Sequence, residues 1–491
     1  MKSYKEYLEQ SGEIGYIQSI VHSIVYVSGL PKARPREVVI AEGGQVGIIQ
    51  SLLPDEVEVL MLETGGLRNN LGITRTGQYF EIGVSEQTLG RIVNPFGDPI
   101  DGSGAIGVIK ETRSVDPGAP PLYTRVKIAR PMETGVQIVD LLVPLGYGQR
   151  ELVIGDRKTG KTIFLLQTMA TQAKKGVVCV YVSIGKRQSD VKAVEAYLRA
   201  RGGDVFKNCC LVVAAASDPA SMVYLAPFSG FSIAEYFRDS GRDVLIVFDD
   251  LTNHAKFYRE LSLLSKRTPG RSSYPGDIFN LHASMLERAG QIKTDKGKVV
   301  SITALPVAES LEGDITGYIQ TNLMSITDGH VFFDIERFKS GARPAVNHAL
   351  SVSRVGNQTR QLLEKELAQK VREDLSRYEK DKEIARFGVD LPEATRAEID
   401  LGEKIELVLN QDTETLVPAA LSLGLLGLLL GGFWKEKKAE QVKVDLIKLT
   451  QKYQSGSLKD LEEKLAKVAK IDDLILLMKS YSEKVEASLH E

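Results

Sequence analysis

The sequence feature that most constrains the fold is the segment E-L-V-I-G-D-R-K-T-G-K-T at residues 151–162. It matches the phosphate-cradling pattern G-x-x-x-x-G-K-[ST] through Gly155, Gly160, Lys161 and Thr162. Glycines let backbone N–H groups converge on an anion because no Cβ stands in the way. In such loops the lysine reaches the terminal phosphates and the threonine hydroxyl binds magnesium, while the following helix favours phosphate at its positive end. The segment therefore predicts a strand, a phosphate-binding turn and a helix, and the alternative is an ordinary strand-to-helix turn.

Length and charge narrow the class of protein. The chain has 491 residues, of which 43% are apolar and 26% charged, as in an ordinary soluble protein of several domains. A net charge of -2 argues against a protein that binds nucleic acid through bulk electrostatics. Three cysteines, Cys179, Cys209 and Cys210, provide neither a disulfide framework nor a zinc site, which favours a reducing cytosol. The start, M-K-S-Y-K-E-Y-L-E-Q, has no apolar signal core.

The first part of the chain alternates short stretches rich in Val, Ile and Tyr with turn signals. We predict strands over residues 14–20, 22–28, 37–41, 45–50, 56–62 and 78–83. Six short strands at this spacing are typical of a small closed barrel. The Pro- and Gly-containing stretch at residues 89–102 then predicts a hinge between domains.

From about residue 130 onward, strands alternate with helices. We predict strands over residues 151–154, 177–183, 211–215, 244–248 and 298–304. We predict helices over residues 161–174, 189–201, 221–240, 255–266 and 277–291. Continuous apolar strands of this kind are what a parallel sheet buried on both faces requires. The pattern predicts a doubly wound α/β core that binds its ligand beyond the carboxyl ends of the strands.

A second motif, D-V-L-I-V-F-D-D, ends in Asp249 and Asp250. An acid at the carboxyl end of a buried strand beside a phosphate loop can hold magnesium through water, and we predict Asp249 for that role. The alternative is an acid that caps a helix. In Y-V-S-I-G-K-R-Q, where a hydrolase would place the carboxylate that orients water, the chain carries Lys186. Because a cation cannot act as that base unless its pKa falls far, we expect a site that binds ATP and cleaves it poorly.

A third motif, S-V-S-R-V-G, places Arg354 in a turn after the core. A guanidinium there could reach a γ-phosphate held by a neighbouring subunit, as an arginine finger does. The alternative is an ordinary surface arginine.

Beyond residue 356 the pattern is helical. Apolar residues recur every three or four positions at Leu363, Leu367, Val371, Leu375 and Tyr378. The uncharged segment at residues 415–434 approaches the length that spans a bilayer, but it contains Pro418 and several glycines and lies between charged helical segments. We therefore favour a buried helix pair over membrane contact.

Together, G-D-R-K-T-G-K-T, F-D-D-L-T, R-T-P-G-R-S-S-Y-P-G-D, S-I-T-A-L-P, S-I-T-D-G and A-R-P-A-V-N…S-V-S-R-V-G resemble the α subunits of rotary F-type ATP synthases over nearly the whole chain. The resemblance implies a multidomain α/β protein. Its expected parts are an N-terminal six-stranded β-barrel at residues 1–88, a central RecA-like parallel-sheet P-loop domain at 89–360 and a C-terminal α-helical domain at 361–491. It also implies that the chain binds ATP or ADP with Mg²⁺ but does not turn it over, because the catalytic sites lie mostly on β subunits.

The resemblance also assigns individual residues. The implied nucleotide contacts are Gly155, Asp156, Arg157, Lys158, Thr159, Gly160, Lys161, Thr162, Phe338, Arg343, Pro344 and Gln411. Thr162 and Asp249 are the implied metal contacts, and Arg354 becomes the finger inserted into the catalytic site of the β subunit. Members of this family usually have glutamine where this chain has Lys186 and Lys158, so the added positive charge is expected to alter nucleotide affinity.

The implied partners are β subunits in an alternating hexameric ring, the central-stalk γ subunit, the peripheral-stalk δ and b subunits and, indirectly, a membrane sector that conducts protons or sodium ions, with no nucleic acid. The implied location is peripheral, at the cytoplasmic face of an energy-transducing membrane. The alternative function is a self-sufficient homohexameric RecA-type motor, such as a secretion-export ATPase or an RNA helicase, which would need its own water-activating carboxylate. A nucleotide-sensing module without a partner ring would leave the Arg354 turn without a purpose.

Overall fold

The computed structural model describes residues 2–109, 111–385 and 392–490. The chain divides into two compact units, each built from separate stretches of sequence. The first unit comprises Met1–Lys127, Ala173–Ser310 and Asp314–Thr327, and the second comprises Ile128–Gln172, Leu311–Gly313 and Asp328–Glu491.

The secondary structure follows in chain order. The strands are β1 (Ile14–Val21), β2 (Ile24–Ser28), β3 (Glu37–Ala41), β4 (Val46–Leu52), β5 (Val57–Met61), β6 (Gly72–Tyr79), β7 (Glu81–Val84), β8 (Ile92–Val93), β9 (Glu111–Ser114), β10 (Pro131–Met132), β11 (Leu145–Gly146), β12 (Glu151–Gly155), β13 (Val178–Lys186), β14 (Cys209–Ala215), β15 (Val244–Asp249), β16 (Gly290–Lys293), β17 (Val299–Glu309), β18 (Gly329–Phe333) and β19 (Val352–Ser353). The helices are α1 (Tyr4–Ser11), α2 (Gln137–Leu142), α3 (Lys161–Lys174), α4 (Gln188–Ala200), α5 (Gly203–Lys207), α6 (Ala220–Asp239), α7 (Leu251–Leu264), α8 (Ile278–Leu286), α9 (Tyr318–Ile326), α10 (Ile335–Lys339), α11 (Leu362–Ala385), α12 (Glu393–Leu409), α13 (Ala419–Leu430), α14 (Ala439–Gln454), α15 (Lys459–Leu465) and α16 (Ile471–His490).

The predicted barrel is confirmed. Strands β1, β2, β5, β4, β3 and β6 close on one another in that order, and all their pairings are antiparallel. Alternate side chains point into the interior, where Ile17, Val27, Val39, Ile49 and Val59 are fully buried.

One predicted barrel strand was wrong. The sixth strand is β6, which ends at Tyr79, rather than residues 78–83, and residues 81–83 of that stretch belong to β7, which pairs with β9 outside the barrel. Strand β6 carries few apolar residues, so its sequence gives only a weak strand signal. Two of its buried residues, on the face opposite Ile73, are threonines whose hydroxyls donate to backbone carbonyls, Thr74 to Glu13 and Thr76 to Val38, both at 2.8 Å.

The rest of the first unit contains the expected parallel sheet. Strands β17, β15, β13, β14 and β8 lie side by side in parallel, and β16 pairs antiparallel with β17. Helices α6 and α7 pack against these strands. Ser183 of β13 is the register partner of Asp249 of β15. The residues that follow these two strand ends therefore meet at one edge of the sheet.

In the second unit, β18 separates two strands that carry predicted site residues. Strand β12 runs parallel to β18, with Gly155 opposite Phe333. Strand β19 runs antiparallel to β18, with Ser353 opposite Gly329. Gly329 and Phe333 are the first and last residues of β18. The phosphate-binding loop and the Arg354 turn consequently lie at opposite ends of one strand.

The helices that follow in the second unit bury the predicted apolar stripe. Leu363, Leu367, Val371, Leu375 and Tyr378 of α11 are all at least 96% buried. Helix α11 packs on α12, and α13 packs on α15 and α16. The expected helical character of this region is confirmed.

The uncharged segment at residues 415–434 forms one buried helix, α13, and not the predicted helix pair. Leu425, Leu426 and Leu429 lie in the interior, and Gly427 packs so closely on α16 that an added Cβ would stand 2.7 Å from Met478. Glycine on this face permits the close helix contact. No described helix combines the length and the apolar character needed to cross a bilayer.

Candidate nucleotide-binding site

The predicted phosphate loop joins β12 to α3 in the second unit. Its two glycines are required for different reasons. A Cβ at Gly155 would stand 2.3 Å from the carbonyl oxygen of Phe333, so the close strand pairing excludes a side chain there. Gly160 adopts φ +100°, a conformation that other residues rarely reach, and the space beside it is open. The loop thus exposes backbone at the amino-terminal end of a long helix, as an anion site requires.

Hydrogen bonds within the loop fix its conformation. The ammonium of Lys161 donates to the carbonyl oxygens of Gly155 at 2.7 Å and Asp156 at 2.6 Å. The Thr159 hydroxyl also donates to the Asp156 carbonyl, at 2.8 Å. The Asp156 carboxylate accepts from the backbone N–H of Gly313 at 3.0 Å. Lys161 is therefore buried against the loop and positioned where the motif predicts a phosphate contact.

Three other predicted contacts on the loop face solvent. Arg157, Lys158 and Thr162 are exposed. Lys158 adopts φ +64°, the left-handed region in which a non-glycine side chain is uncommon. Within the described part of the chain the Thr162 hydroxyl makes no hydrogen bond, so it is available to a ligand at the first turn of α3. The cationic and hydroxyl groups of the loop fit a phosphate chain.

The three residues predicted near the base lie together on and after α10. The guanidinium carbon of Arg343 lies 3.7 Å from the ring centroid of Phe338, a cation–π contact. Arg343 also donates to the carbonyl oxygens of Phe338 at 2.9 Å and Ala342 at 2.7 Å. Arg343 and Pro344, joined by a cis peptide bond, line a cavity of about 840 Å³ that Asn410 also borders. The structure thus brings Phe338, Arg343 and Pro344 to one place.

Gln411 is buried, and its side-chain amide is bonded to the backbone. Its nitrogen donates to the carbonyl oxygens of Gly135 at 2.7 Å and Thr415 at 2.6 Å, and its oxygen accepts from the N–H of Gln137 at 3.0 Å. Its own N–H donates to the Arg343 carbonyl at 2.7 Å. These bonds hold Gln411 beside the predicted base contacts, and its role towards a base stays a prediction.

The predicted metal residue lies in the first unit, at the end of β15. Asp249 and Asp250 are at least 96% buried. The ammonium of Lys186, at the end of β13, lies 2.8 Å from Asp249 Oδ1 and 2.8 Å from Asp250 Oδ2. The Tyr181 hydroxyl donates to Asp249 Oδ2 at 2.6 Å. These groups, which we call the acid cluster, form one connected set.

Asp250 has a second role. Its Oδ1 accepts from the backbone N–H of Asn253 at 2.6 Å, which makes Asp250 the N-cap of α7. The two expectations for the D-D pair therefore apply to different residues, since the helix cap is Asp250 and the predicted metal residue is Asp249. Each of the four carboxylate oxygens has a hydrogen-bond or ion-pair partner.

The acid cluster keeps Lys186 charged. Burial alone would lower the pKa of Lys186, but the negative charges of Asp249 and Asp250 outweigh burial and raise that pKa above its ordinary value. Burial and the adjacent Asp249 carboxylate raise the pKa of Tyr181 well above 10, so its hydroxyl stays a donor. A permanently cationic side chain thus stands at the strand end where a hydrolase needs a carboxylate.

Arg354 is exposed on a turn that is firmly anchored. Its backbone N–H donates to the Asp328 carbonyl at 3.3 Å, whereas its guanidinium makes no hydrogen bond or ion pair with the described residues. The preceding Ser353 hydroxyl donates to the Pro144 carbonyl at 2.5 Å. A Cβ at Gly356 would stand 1.7 Å from the same carbonyl oxygen, so only glycine fits there. The turn presents a free guanidinium from a fixed backbone.

A buried carboxyl group lies beneath that turn. Gln149 donates to Glu151 at 2.6 Å and to the Ser353 hydroxyl at 3.2 Å. Burial raises the pKa of Glu151 well above its ordinary value, and the hydrogen bond from Gln149 opposes that rise. No sequence motif indicated this network, or the part that Tyr181 plays in the acid cluster, because these residues lie within or beside apolar strands.

The residues present fit a nucleotide better than they fit a metal ion. The loop supplies glycine backbone, a lysine and exposed cations for phosphate, and Thr162 has a free hydroxyl for magnesium. Asp249 offers a metal no oxygen that lacks a partner. Among the residues that the structure describes, no cluster of three or more His, Cys, Asp or Glu side chains is arranged to hold a metal.

Comparison with known proteins agrees with these features. Residues 135–353 match the ATP synthase alpha/beta family, nucleotide-binding domain, and residues 358–482 match the ATP synthase alpha/beta chain, C terminal domain. The chain is 39% identical over 484 residues to ATP synthase subunit alpha of Ligilactobacillus salivarius, covering 98% of this chain and 93% of the relative. It is 38% identical over 480 residues to the Sulfurovum sp. subunit, covering 98% and 92%, and 41% identical over 422 residues to a Staphylococcus aureus subunit, covering 86% and 83%. The chain therefore belongs to the ATP synthase alpha/beta family and is similar to its alpha subunits over almost its whole length.

Proposed function

We propose that this chain is the α subunit of the catalytic head of an ion-translocating ATP synthase. In this proposal it binds ATP or ADP with Mg²⁺ without turning it over, and it lends Arg354 to the catalytic site of a neighbouring β subunit. Similarity to alpha subunits over 98% of the chain supports the first part. The geometry around β18 and β13 supports the second.

The observation that carries the proposal is the placement of Arg354 relative to the chain's own phosphate loop. The two lie at opposite ends of β18, a separation of four residue steps or about 13 Å. An arginine side chain does not span that distance, so Arg354 has no access to a phosphate on its own loop. A free guanidinium on an anchored turn suits a site on another subunit, where its charge would stabilise the transferring phosphoryl group.

Lys186 supports the absence of turnover. Hydrolysis needs a group that orients and deprotonates water, and a cation fixed between two carboxylates cannot do either. Lys161 and the loop backbone would bind the phosphates, and Phe338, Arg343, Pro344 and Gln411 would hold the base. Thr162 and Asp249 are the proposed metal contacts, and the metal would offset phosphate charge.

The proposal includes an assembly and domain limits. The partners would be β subunits alternating in a hexameric ring, a central γ subunit, peripheral δ and b subunits and, indirectly, a membrane sector that conducts protons or sodium ions. The chain would be peripheral at the cytoplasmic face of that membrane. Its domains would be the barrel at 1–88, the P-loop domain at 89–360 and the helical domain at 361–491.

The test compares the chain alone with a mixed ring. Purified chain should bind Mg-ATP and hydrolyse it negligibly. In a ring assembled with β subunits, Arg354→Ala should lower the rate of ATP hydrolysis by about 10³-fold or more, because a missing arginine finger has effects of that size. Arg354→Lys should recover little, since an ammonium lacks the planar fork of guanidinium.

The matched control is Arg377→Ala, which removes a half-exposed arginine from α11 and should leave turnover unchanged. Steady ATPase activity from the chain alone would instead favour the self-sufficient motor. Normal turnover of the Arg354→Ala ring would contradict the finger.

A further inference from the structure

The buried network beneath the Arg354 turn contains a carboxyl group that the proposed function does not use. Glu151 of β12, Gly329 of β18 and Ser353 of β19 are register partners in one row across three neighbouring strands. Glu151 is fully buried. A Cβ at Gly329 would stand 2.7 Å from Glu151 Oε2, so a side chain there would displace the carboxyl group. The carboxyl group thus lies over β18, the strand between β12 and β19.

Gln149 connects this carboxyl group to the turn. Its side-chain oxygen accepts from the N–H of Gly146 at 2.9 Å, which fixes the orientation of the amide. Its nitrogen donates to Glu151 Oε2 at 2.6 Å and to the Ser353 hydroxyl at 3.2 Å. An amide nitrogen carries two hydrogens, so these bonds use both. Without an acceptor at residue 151, one buried hydrogen would lack a partner, and the amide would be free to turn away from Ser353.

The chain of bonds ends at the residue before Arg354. The Ser353 hydroxyl accepts from Gln149 and donates to the Pro144 carbonyl, so it is held from both sides. Arg354 also acts on the carboxyl group through its charge. Burial raises the pKa of Glu151, whereas the hydrogen bond from Gln149 and the positive charge of Arg354 lower it. An apolar side chain at residue 151 would avoid the cost of burying a carboxyl group, so the cost indicates a role beyond packing.

We propose that Glu151 is a positioning residue for Arg354. Through Gln149 and Ser353 it fixes the turn from which the guanidinium reaches the neighbouring catalytic site. The inference rests on the proposed function, in which Arg354 serves a β subunit, and deepens it. A finger acts in the transition state, so its displacement lowers kcat and leaves KM nearly unchanged.

The experiment measures kcat and KM of ATP hydrolysis in a ring assembled with β subunits. Glu151→Leu removes the acceptor and keeps the approximate size. It should lower kcat by about tenfold to a hundredfold and change KM by less than about twofold, because a small displacement of a catalytic group has effects of that size. Glu151→Gln keeps an acceptor for Gln149 and should recover most of kcat. In a ring that already carries Arg354→Ala, Glu151→Leu should lower kcat by less than about twofold, since the group that it positions is gone.

Two further variants complete the test. Gln172→Leu removes another fully buried amide, one that donates to the Glu133 carbonyl at 2.6 Å, and should leave kcat unchanged. Ser353→Ala deletes a single oxygen from the same chain of bonds and should lower kcat by about tenfold, again only where Arg354 is present. If Glu151→Leu does not assemble into a ring, Ser353→Ala takes its place.

Equal losses of kcat with and without Arg354→Ala would mean a merely structural role and would overturn the inference. It would also be overturned if Glu151→Gln lost as much kcat as Glu151→Leu, if Gln172→Leu did so, or if Glu151→Leu or its substitute Ser353→Ala kept a normal kcat. These outcomes leave the proposed function standing. Normal turnover of the Arg354→Ala ring would instead overturn the arginine finger, and this inference with it.

Discussion

The phosphate loop and the acid cluster each follow a buried strand and were each predicted from a short motif, yet they are stabilised in opposite ways. Lys161 and Thr159 hold the loop through bonds to near neighbours, such as Lys161 to Gly155, six residues apart, and Gly313 adds one bond from farther along the chain. The acid cluster is held by side chains from separate elements, such as Lys186 and Asp250, 64 residues apart. The loop leaves the Thr162 hydroxyl free for a ligand, whereas each carboxylate oxygen of the acid cluster already has a partner.

This difference separates two kinds of motif. A glycine-rich loop works through backbone conformation, so its sequence carries most of its chemistry. A pair of acids works through charge, and the charge available to a ligand depends on which side chain lies opposite. The D-D motif therefore indicates a metal site only when its partner is known, and here the partner is a lysine.

Replacing the loop lysine should give the largest effect. Lys161→Ala should weaken ATP binding about tenfold to a hundredfold, because a charge-assisted hydrogen bond to phosphate is lost. Titration calorimetry measures the change. The melting temperature should change little, since the bonds from Lys161 to the Gly155 and Asp156 carbonyls join residues of one loop. Lys174→Ala, at the far end of the same helix, is the matched control. A large loss of stability in Lys161→Ala would erase the contrast between the two regions.

Replacing the lysine of the acid cluster should lower the stability of the fold, the reverse of what we expect for Lys161→Ala. Lys186→Ala should lower the free energy of unfolding by about 2 kcal/mol, because two buried carboxylates lose their cation and Lys186 is itself partly exposed. Urea unfolding measures the change, with Lys192→Ala as the control for loss of an exposed lysine. Unchanged stability would mean that the ion pairs of Lys186 with the two buried carboxylates do not stabilise the fold.

The hydroxyl of Tyr181 also stabilises the acid cluster, so its removal should also lower stability. Tyr181→Phe should lower the free energy of unfolding by about 1.5 kcal/mol, because Asp249 loses a buried donor and keeps its negative charge. Tyr16→Phe, at an exposed position of the barrel, should cost almost nothing. Equal effects of the two substitutions in urea unfolding would contradict this account.

A buried histidine pair in the first unit should make the free energy of unfolding depend on pH. His254 and His282 lie in contact, with ring nitrogens 3.1 Å apart, and burial lowers the pKa of His254 to about 4 and that of His282 well below its ordinary value. As pH falls below about 6.5 the unfolded chain takes up protons on both rings and the folded chain does not, so the free energy of unfolding should fall. From pH 7 to 5.5 each ring should contribute about 1 kcal/mol.

The measurement is urea unfolding at the two pH values, and His254→Gln should reduce the pH-dependent loss by about 1 kcal/mol. An identical loss in the variant would show that His254 takes up its proton in the folded state.

The sequence predicted the fold best where periodicity and local conformation are strong. The parallel core strands and α11 were confirmed because long apolar patterns leave little choice of structure. Prediction failed at β6, where the buried residues Thr74 and Thr76 are held by hydrogen bonds that propensity does not register. It also failed at residues 415–434, where composition could not distinguish one deeply buried helix from a pair.

In the candidate site, too, the sequence determined some features and the tertiary structure decided the others. The sequence by itself determined the phosphate loop, the lack of an acid at residue 186 and the turn that carries Arg354, because each is encoded within a few consecutive residues. Only the tertiary structure decided that Lys186 pairs with Asp249 and Asp250, that Asp250 caps α7 and that Arg354 lies at the far end of β18 from the loop. Those facts depend on which strands are neighbours and in what register, and strand order is set by packing between segments far apart in the chain.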